Sequence, residues 1–216
     1  MKKYLTEFIG TFFLVLIIGL SQNPLAIGFG LTVLVYMGAH ISGAHYNPAV
    51  SFAMLLRREI NSSDFFKYLL SQILGAFAAA FLVSNMSSNM LVQPDLAEPV
   101  AIILVAELIF TYLLVFVILN VATHPNLDGN SFYGFAIGLT VMAGAFCVGP
   151  LSGGVFNPAV SIGPSLVDII TGSGVSQYFV WYYLTAPMAG SVLEKLFYLQ
   201  KELREKNDPR NLMPGT

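Results

Sequence analysis

Ser42-Gly-Ala-His-Tyr-Asn-Pro-Ala-Val-Ser51 returns further along the chain as Ser152-Gly-Gly-Val-Phe-Asn-Pro-Ala-Val-Ser161. Asn is among the best N-cap residues, and Pro suits the first helical position because its missing N–H would be unpaired there anyway. Asn47-Pro48 and Asn157-Pro158 therefore read as helix starts, each preceded by irregular, Gly-containing backbone. The apolar segments that follow, Asn47–Leu56 and Asn157–Leu166, are short. At 1.5 Å per residue, ~10 residues of helix cover ~15 Å, half of the ~30 Å hydrocarbon core of a bilayer. They are predicted to be half-helices.

Working outward, six stretches are long and apolar enough to cross: Tyr4–Leu20, Leu25–His40, Phe65–Ser84, Pro99–Ala122, Phe132–Val148 and Tyr178–Leu199. Charged residues make up 10% of the chain against about 25% in soluble domains, so lipid is the expected solvent. Lys2 and Lys3 before an apolar run suggest a signal peptide. Glu7 breaks that run early and no small-x-small cleavage site follows, so it is read as the first span. Cys147, the single cysteine, excludes an internal disulfide framework, and its apolar neighbours predict a small packed hydrophobe. A net charge of −2 without a basic patch excludes nucleic acid as a partner.

The cations set the orientation. Lys2 and Lys3 precede span one; Arg57, Arg58 and Lys67 lie between spans two and three; Lys195, Lys201, Arg204, Lys206 and Arg210 close the chain. With six crossings all ten fall on one side, which the positive-inside rule makes cytoplasmic. Both termini are expected there, in an integral plasma (inner) membrane protein. Residues 201–216 are polar and predicted to form a flexible cytoplasmic tail.

Other segments repeat in the same order. Glu7-Phe-Ile-Gly-Thr11 returns as Glu107-Leu-Ile-Phe-Thr111, and Gly30-Leu-Thr-Val33 as Gly138-Leu-Thr-Val141. Residues 1–200 are thus expected to be one membrane domain of two repeats, about 1–97 and 98–200. Three spans per half, an odd number, force the second half to enter from the opposite face. The expected fold is all-α: six transmembrane helices plus two re-entrant half-helices in an inverted repeat.

Inversion lets the two helix starts meet near the midplane, with Ala49 and Ala159 small enough for contact. Each start carries roughly +0.5 elementary charge, so cations are repelled there while neutral molecules are not. The amides of Asn47 and Asn157 offer donors to a passing oxygen, and the carbonyls of 42–46 and 152–156 offer a ladder of acceptors. Glu7 and Glu107, carboxylates inside spans, are expected to support the loops by accepting their N–H groups; a proton relay is the alternative. His124 falls in a loop, whereas His40 and His45 are placed in a cytoplasmic vestibule. No metal and no cofactor are expected.

These residues resemble the aquaporins and aquaglyceroporins, the major intrinsic proteins. The resemblance spans about Tyr4 to Leu199 and rests on the Glu-Phe-Ile-Gly-Thr opening and the two Asn-Pro-Ala motifs. It implies a homotetramer with one pore per subunit, passing water, glycerol or similar neutral solutes. This chain departs from the family pattern at the outer constriction. Val160 stands where typical members carry Arg, Ala145 where water-selective members carry His, and Gly154 at the loop position. The span-two position is Ile27 by ungapped counting, or Phe29 if Gly30 is aligned with Gly138. The resemblance then implies a wide, apolar constriction, with ammonia, carbon dioxide, hydrogen peroxide or small polyols as candidate solutes. A secondary transporter and a non-conducting structural protein remain the competing readings. No nucleophile–base–orienter set or phosphate loop points to an enzyme.

Overall fold

Asn opens more than the two half-helices. Asn23 Oδ1 accepts the Leu25 N–H at 2.9 Å ahead of Pro24, and Asn61 Oδ1 accepts the Asp64 N–H at 2.9 Å. The computed structural model describes residues 1–87 and 90–206. Its α-helices are α1 (Lys2–Ser21), α2 (Pro24–Ser42), α3 (Pro48–Leu56), α4 (Ser62–Met86), α5 (Val100–Thr123), α6 (Tyr133–Ser152), α7 (Pro158–Thr171) and α8 (Val180–Lys206). Short 3-10 turns lie at Pro125–Leu127 and Val175–Phe179.

Five of these, α1, α2, α4, α5 and α6, are long and apolar enough to cross a membrane. The sixth expected span, α8, is long enough at 27 residues, but Trp181, Tyr182, Tyr183, Pro187, Glu194 and Lys195 dilute its apolarity. Two boundaries differ most from expectation. Helix α7 passes Leu166 and stops only at Gly172, whose N–H returns to Asp168 O at 2.9 Å; Pro164 does not end it. Residues 201–206, expected in the flexible tail, continue α8, and 207–216 lie outside the described residues.

The packing repeats as the sequence does. Helix α1 packs on α2 and α4, as α5 packs on α6 and α8. The half-helices are exchanged: α3 packs on α8 and α7 on α4, while α2 meets α6 across the centre. At that crossing a Cβ on Gly28 would fall 2.9 Å from Gly138 O, and one on Gly138 would collide with Gly28 O. Gly28, not Gly30, is therefore the mate of Gly138. The Gly-Leu-Thr-Val match is two residues out of structural register, and ungapped counting holds through α2.

Large apolar side chains cover the outside, among them Val33, Phe66, Leu70, Val105 and Ile109, each at least half exposed. In water such a surface would aggregate; against lipid tails it is ordinary. Cys147 lies on this exposed surface of α6 rather than packed inside. At the end of the bundle carrying the N-terminus, Lys3 pairs with Asp64 at 2.7 Å and Arg57 with Glu194 at 3.1 Å. The Arg57 guanidinium also lies over the Tyr198 ring at 3.3 Å. These pairs gather the start of α1, the end of α3, the start of α4 and the late turns of α8 at one end.

Candidate functional site

Each Asn-Pro-Ala motif first completes its own helix start. Asn47 Oδ1 accepts the Ala49 N–H at 2.8 Å, and Asn157 Oδ1 accepts the Ala159 N–H at 3.0 Å. With the oxygen thus fixed, the amide nitrogen points away from its own helix and reaches the other loop. Asn47 Nδ2 donates to Phe156 O at 2.8 Å, and Asn157 Nδ2 donates to Tyr46 O at 2.9 Å. The two motifs are therefore clasped to each other by reciprocal bonds. An amide nitrogen has two hydrogens, so each Asn keeps one donor beyond the clasp. Pro48, Ala49, Pro158 and Ala159 are buried behind it, and the two half-helices touch.

The loops before the half-helices follow one conformation twice. Gly43 and Gly153 have φ of 84° and 91°; Ala44 and Gly154 have 51° and 61°; Tyr46 and Phe156 have 48° and 50°. Left-handed backbone at Ala44, Tyr46 and Phe156 is disfavoured for residues with a Cβ and needs outside support. Glu7 supplies it on one side. It accepts from Ser42 Oγ at 2.6 Å, His45 N at 3.0 Å, Tyr46 N at 2.7 Å and Gln72 Nε2 at 2.8 Å. Glu107 does the same for Ser152 Oγ at 2.7 Å, Val155 N at 3.0 Å and Phe156 N at 2.7 Å.

Three supports escaped the sequence reading. Tyr68 OH donates to Ser42 O at 2.8 Å and Tyr183 OH to Ser152 O at 2.7 Å, and Gln72 bridges Glu7 to Ser51 Oγ, the latter at 2.9 Å. Tyr68 and Tyr183 lie on the last span of each half, outside the motifs that repeat by eye. Aligning α4 with α8 is the signal that would have paired them. The acceptor ladder is also shorter than expected. The carbonyls of Ser42, Tyr46, Ser152 and Phe156 accept protein donors, leaving residues 43–45 and 153–155 between them.

A cavity of about 570 Å³ opens along the axis on the side away from the N-terminus. Asn47 and Asn157 line its floor, and Ile27, Ala145, Gly154 and Val160 line its wall. Phe29 does not: its side chain is 50% exposed on the outer face of α2, two residues round the helix from Ile27. His45 lines the cavity and lies within 3.0 Å of Ser51 Oγ through Nδ1. His40 is exposed in the last turn of α2, at the opposite end from this cavity's mouth, and does not line it. The wall thus carries apolar side chains and small residues, and donors gather at the floor.

The sequence model of the Major intrinsic protein family matches residues 1–198. A glycerol uptake facilitator protein-like 6 of Lactiplantibacillus plantarum is 38% identical over 211 residues, covering 89% of this chain and 94% of that protein. A putative aquaporin NIP4-1 of Arabidopsis thaliana is 34% identical, covering 94% of this chain and 77% of that protein. The crystal structure of the aquaglyceroporin from Plasmodium falciparum superposes with a TM-score of 0.81 at 23% identity, over 91% of this chain and 94% of that one. The chain belongs to the major intrinsic protein family. It is a multi-pass membrane protein that acts as a passive channel for water and small solutes, and not as an enzyme.

Proposed function

We propose that this channel admits neutral solutes larger and less polar than water, small polyols such as glycerol among them. The observation that carries the reading is the cavity wall of Ile27, Ala145, Gly154 and Val160, which holds neither a cation nor an imidazole. A guanidinium would fill that space, hold water in it and impose a fixed charge. An apolar wall sets no charge barrier and selects by width. Ion exclusion then falls to the floor, where α3 and α7 both direct their starts toward the path and Asn47 and Asn157 each keep a free donor. The similarity to a glycerol uptake facilitator-like protein supports a polyol as one guest. Glu7 and Glu107 serve as loop supports, and His45 as a polar lining residue.

The chain works as a homotetramer in the plasma membrane with both termini cytoplasmic. The clustering of Lys and Arg near one end of the sequence-predicted topology favours that orientation. The residues of α2, α6 and their neighbours that remain exposed and apolar are shared between lipid and the other subunits.

Val160→Arg in proteoliposomes tests the wide constriction. Stopped-flow light scattering should show glycerol permeability falling at least tenfold while water permeability changes far less. Unchanged glycerol permeability would overturn the reading.

A further inference from the structure

Between α4 and α5, residues 90–95 pass over the far mouth of the cavity without regular structure. Val92 and Pro94 are buried, whereas Gln93 between them is exposed. Met90, Leu91, Val92 and Gln93 all line the cavity, and Gln93 is the polar one among them, joined there by Gln22, the residue that ends α1.

The segment is pinned on both sides of Gln93. The Val92 N–H donates to Ser176 Oγ at 3.1 Å, and the Asp95 N–H donates to Leu151 O at 3.0 Å. Ser176 is itself held, its N–H donating to Asp168 Oδ2 at 2.9 Å, while the Ser173 N–H donates to Oδ1 at 3.0 Å. The far end of α7 thereby fixes a loop that belongs to the other half. The Gln93 carbonyl oxygen lies 3.4 Å from where a Cβ on Gly153 would stand, one residue before Gly154 of the constriction. Among the described residues, none hydrogen-bonds the Gln93 side-chain amide.

We propose that Gln93 is a specificity-determining residue of this channel, presenting an unspent donor and acceptor to solutes that carry both, polyols and amides, as they enter the apolar constriction. The proposal rests on the wide-pore reading above and names what selects among guests once width does not. A polar solute crossing Ile27, Ala145 and Val160 gives up water partners and meets no side-chain donor there, only the carbonyls of residues 153–155. An amide at the entrance replaces part of that loss for a hydroxyl or amide solute. It is uncharged, so it holds its guest weakly enough to release it. Water, small enough to keep other waters beside it, depends on this contact least.

Gln93→Leu and Gln93→Asn in proteoliposomes, compared with the wild type for water, glycerol and urea, test the assignment. Gln93→Leu should lower glycerol and urea permeability about three- to tenfold relative to water, one hydrogen bond expressed as a ratio. Gln93→Asn, which keeps the amide, should recover part of it. A loop with only a structural role would change all three permeabilities together and leave the ratios alone. Unchanged ratios in Gln93→Leu overturn the proposal. Val160→Arg run alongside separates the two readings: if it excludes glycerol while Gln93→Leu leaves the ratios unchanged, only the Gln93 assignment falls. If Val160→Arg is silent and Gln93→Leu shifts the ratios, only the wide-pore reading falls. A wild type that passes water but neither glycerol nor urea overturns both.

Discussion

A carboxylate inside a membrane helix persists when fixed donors replace the water it has lost. Glu107 is fully buried and accepts from Ser152 Oγ and from the N–H groups of Val155 and Phe156. Those N–H groups belong to backbone that cannot pair within a helix, and Phe156 stands at φ 50°. Truncating Glu107→Ala strands both N–H groups at about 1–3 kcal/mol each, so roughly 2–6 kcal/mol of stability should be lost. The measurement is the shift of the thermal midpoint in detergent. Glu107→Gln, which keeps one acceptor, should lose less, and equal midpoints for Glu107→Ala and the wild type would contradict the role. Sequence exposed Glu7 and Glu107 as a repeated pair. It could not expose Gln72, whose amide meets Glu7 and Ser51 only after α4 has packed on α1.

Among the helices, the α2–α6 crossing sets how closely the two halves approach. Gly28 and Gly138 lie backbone to backbone there, each where a Cβ would meet the other's carbonyl oxygen. Gly138→Leu should force the helices apart, cost about 1–3 kcal/mol or more by overpacking, and sharply reduce folded protein recovered from membranes. Recovery of wild-type yield and melting behaviour would count against this crossing as the register-setting contact. At this scale apolar length revealed five spans plainly. The sixth was legible despite its Trp, Tyr and Pro residues, since a sixth crossing was needed to put all cations on one side. What misled was local likeness. Gly30-Leu-Thr-Val33 matches Gly138-Leu-Thr-Val141 by eye, yet the backbone contact pairs Gly28 with Gly138 and turns Phe29 outward.

For the molecule as a whole, function depends on two short helices from opposite halves ending at one point. Their starts together represent about one elementary positive charge at the clasp of Asn47 and Asn157. Asn157→Asp would offset that charge. Asp caps helices as well as Asn does, so α7 should still form, although the bond to Tyr46 O is lost. Measurable cation conductance across planar bilayers should appear where the wild type has none. A folded, water-permeable Asn157→Asp protein that remains silent to cations would show that the helix starts do not supply the barrier.

The sequence alone determined the helix starts, the inverted duplication and the residue types that can line the path. All of these are written in local pattern: Asn before Pro, apolar runs of bilayer length, and an odd number of spans per half. Tertiary structure alone decided which face of α2 looks inward, how Asn47 and Asn157 reach across to Phe156 and Tyr46, and that Gln93 lies over the mouth. Those facts depend on contacts between residues roughly a hundred positions apart. Such contacts are set by how closely backbones can approach, and no window of sequence carries that distance.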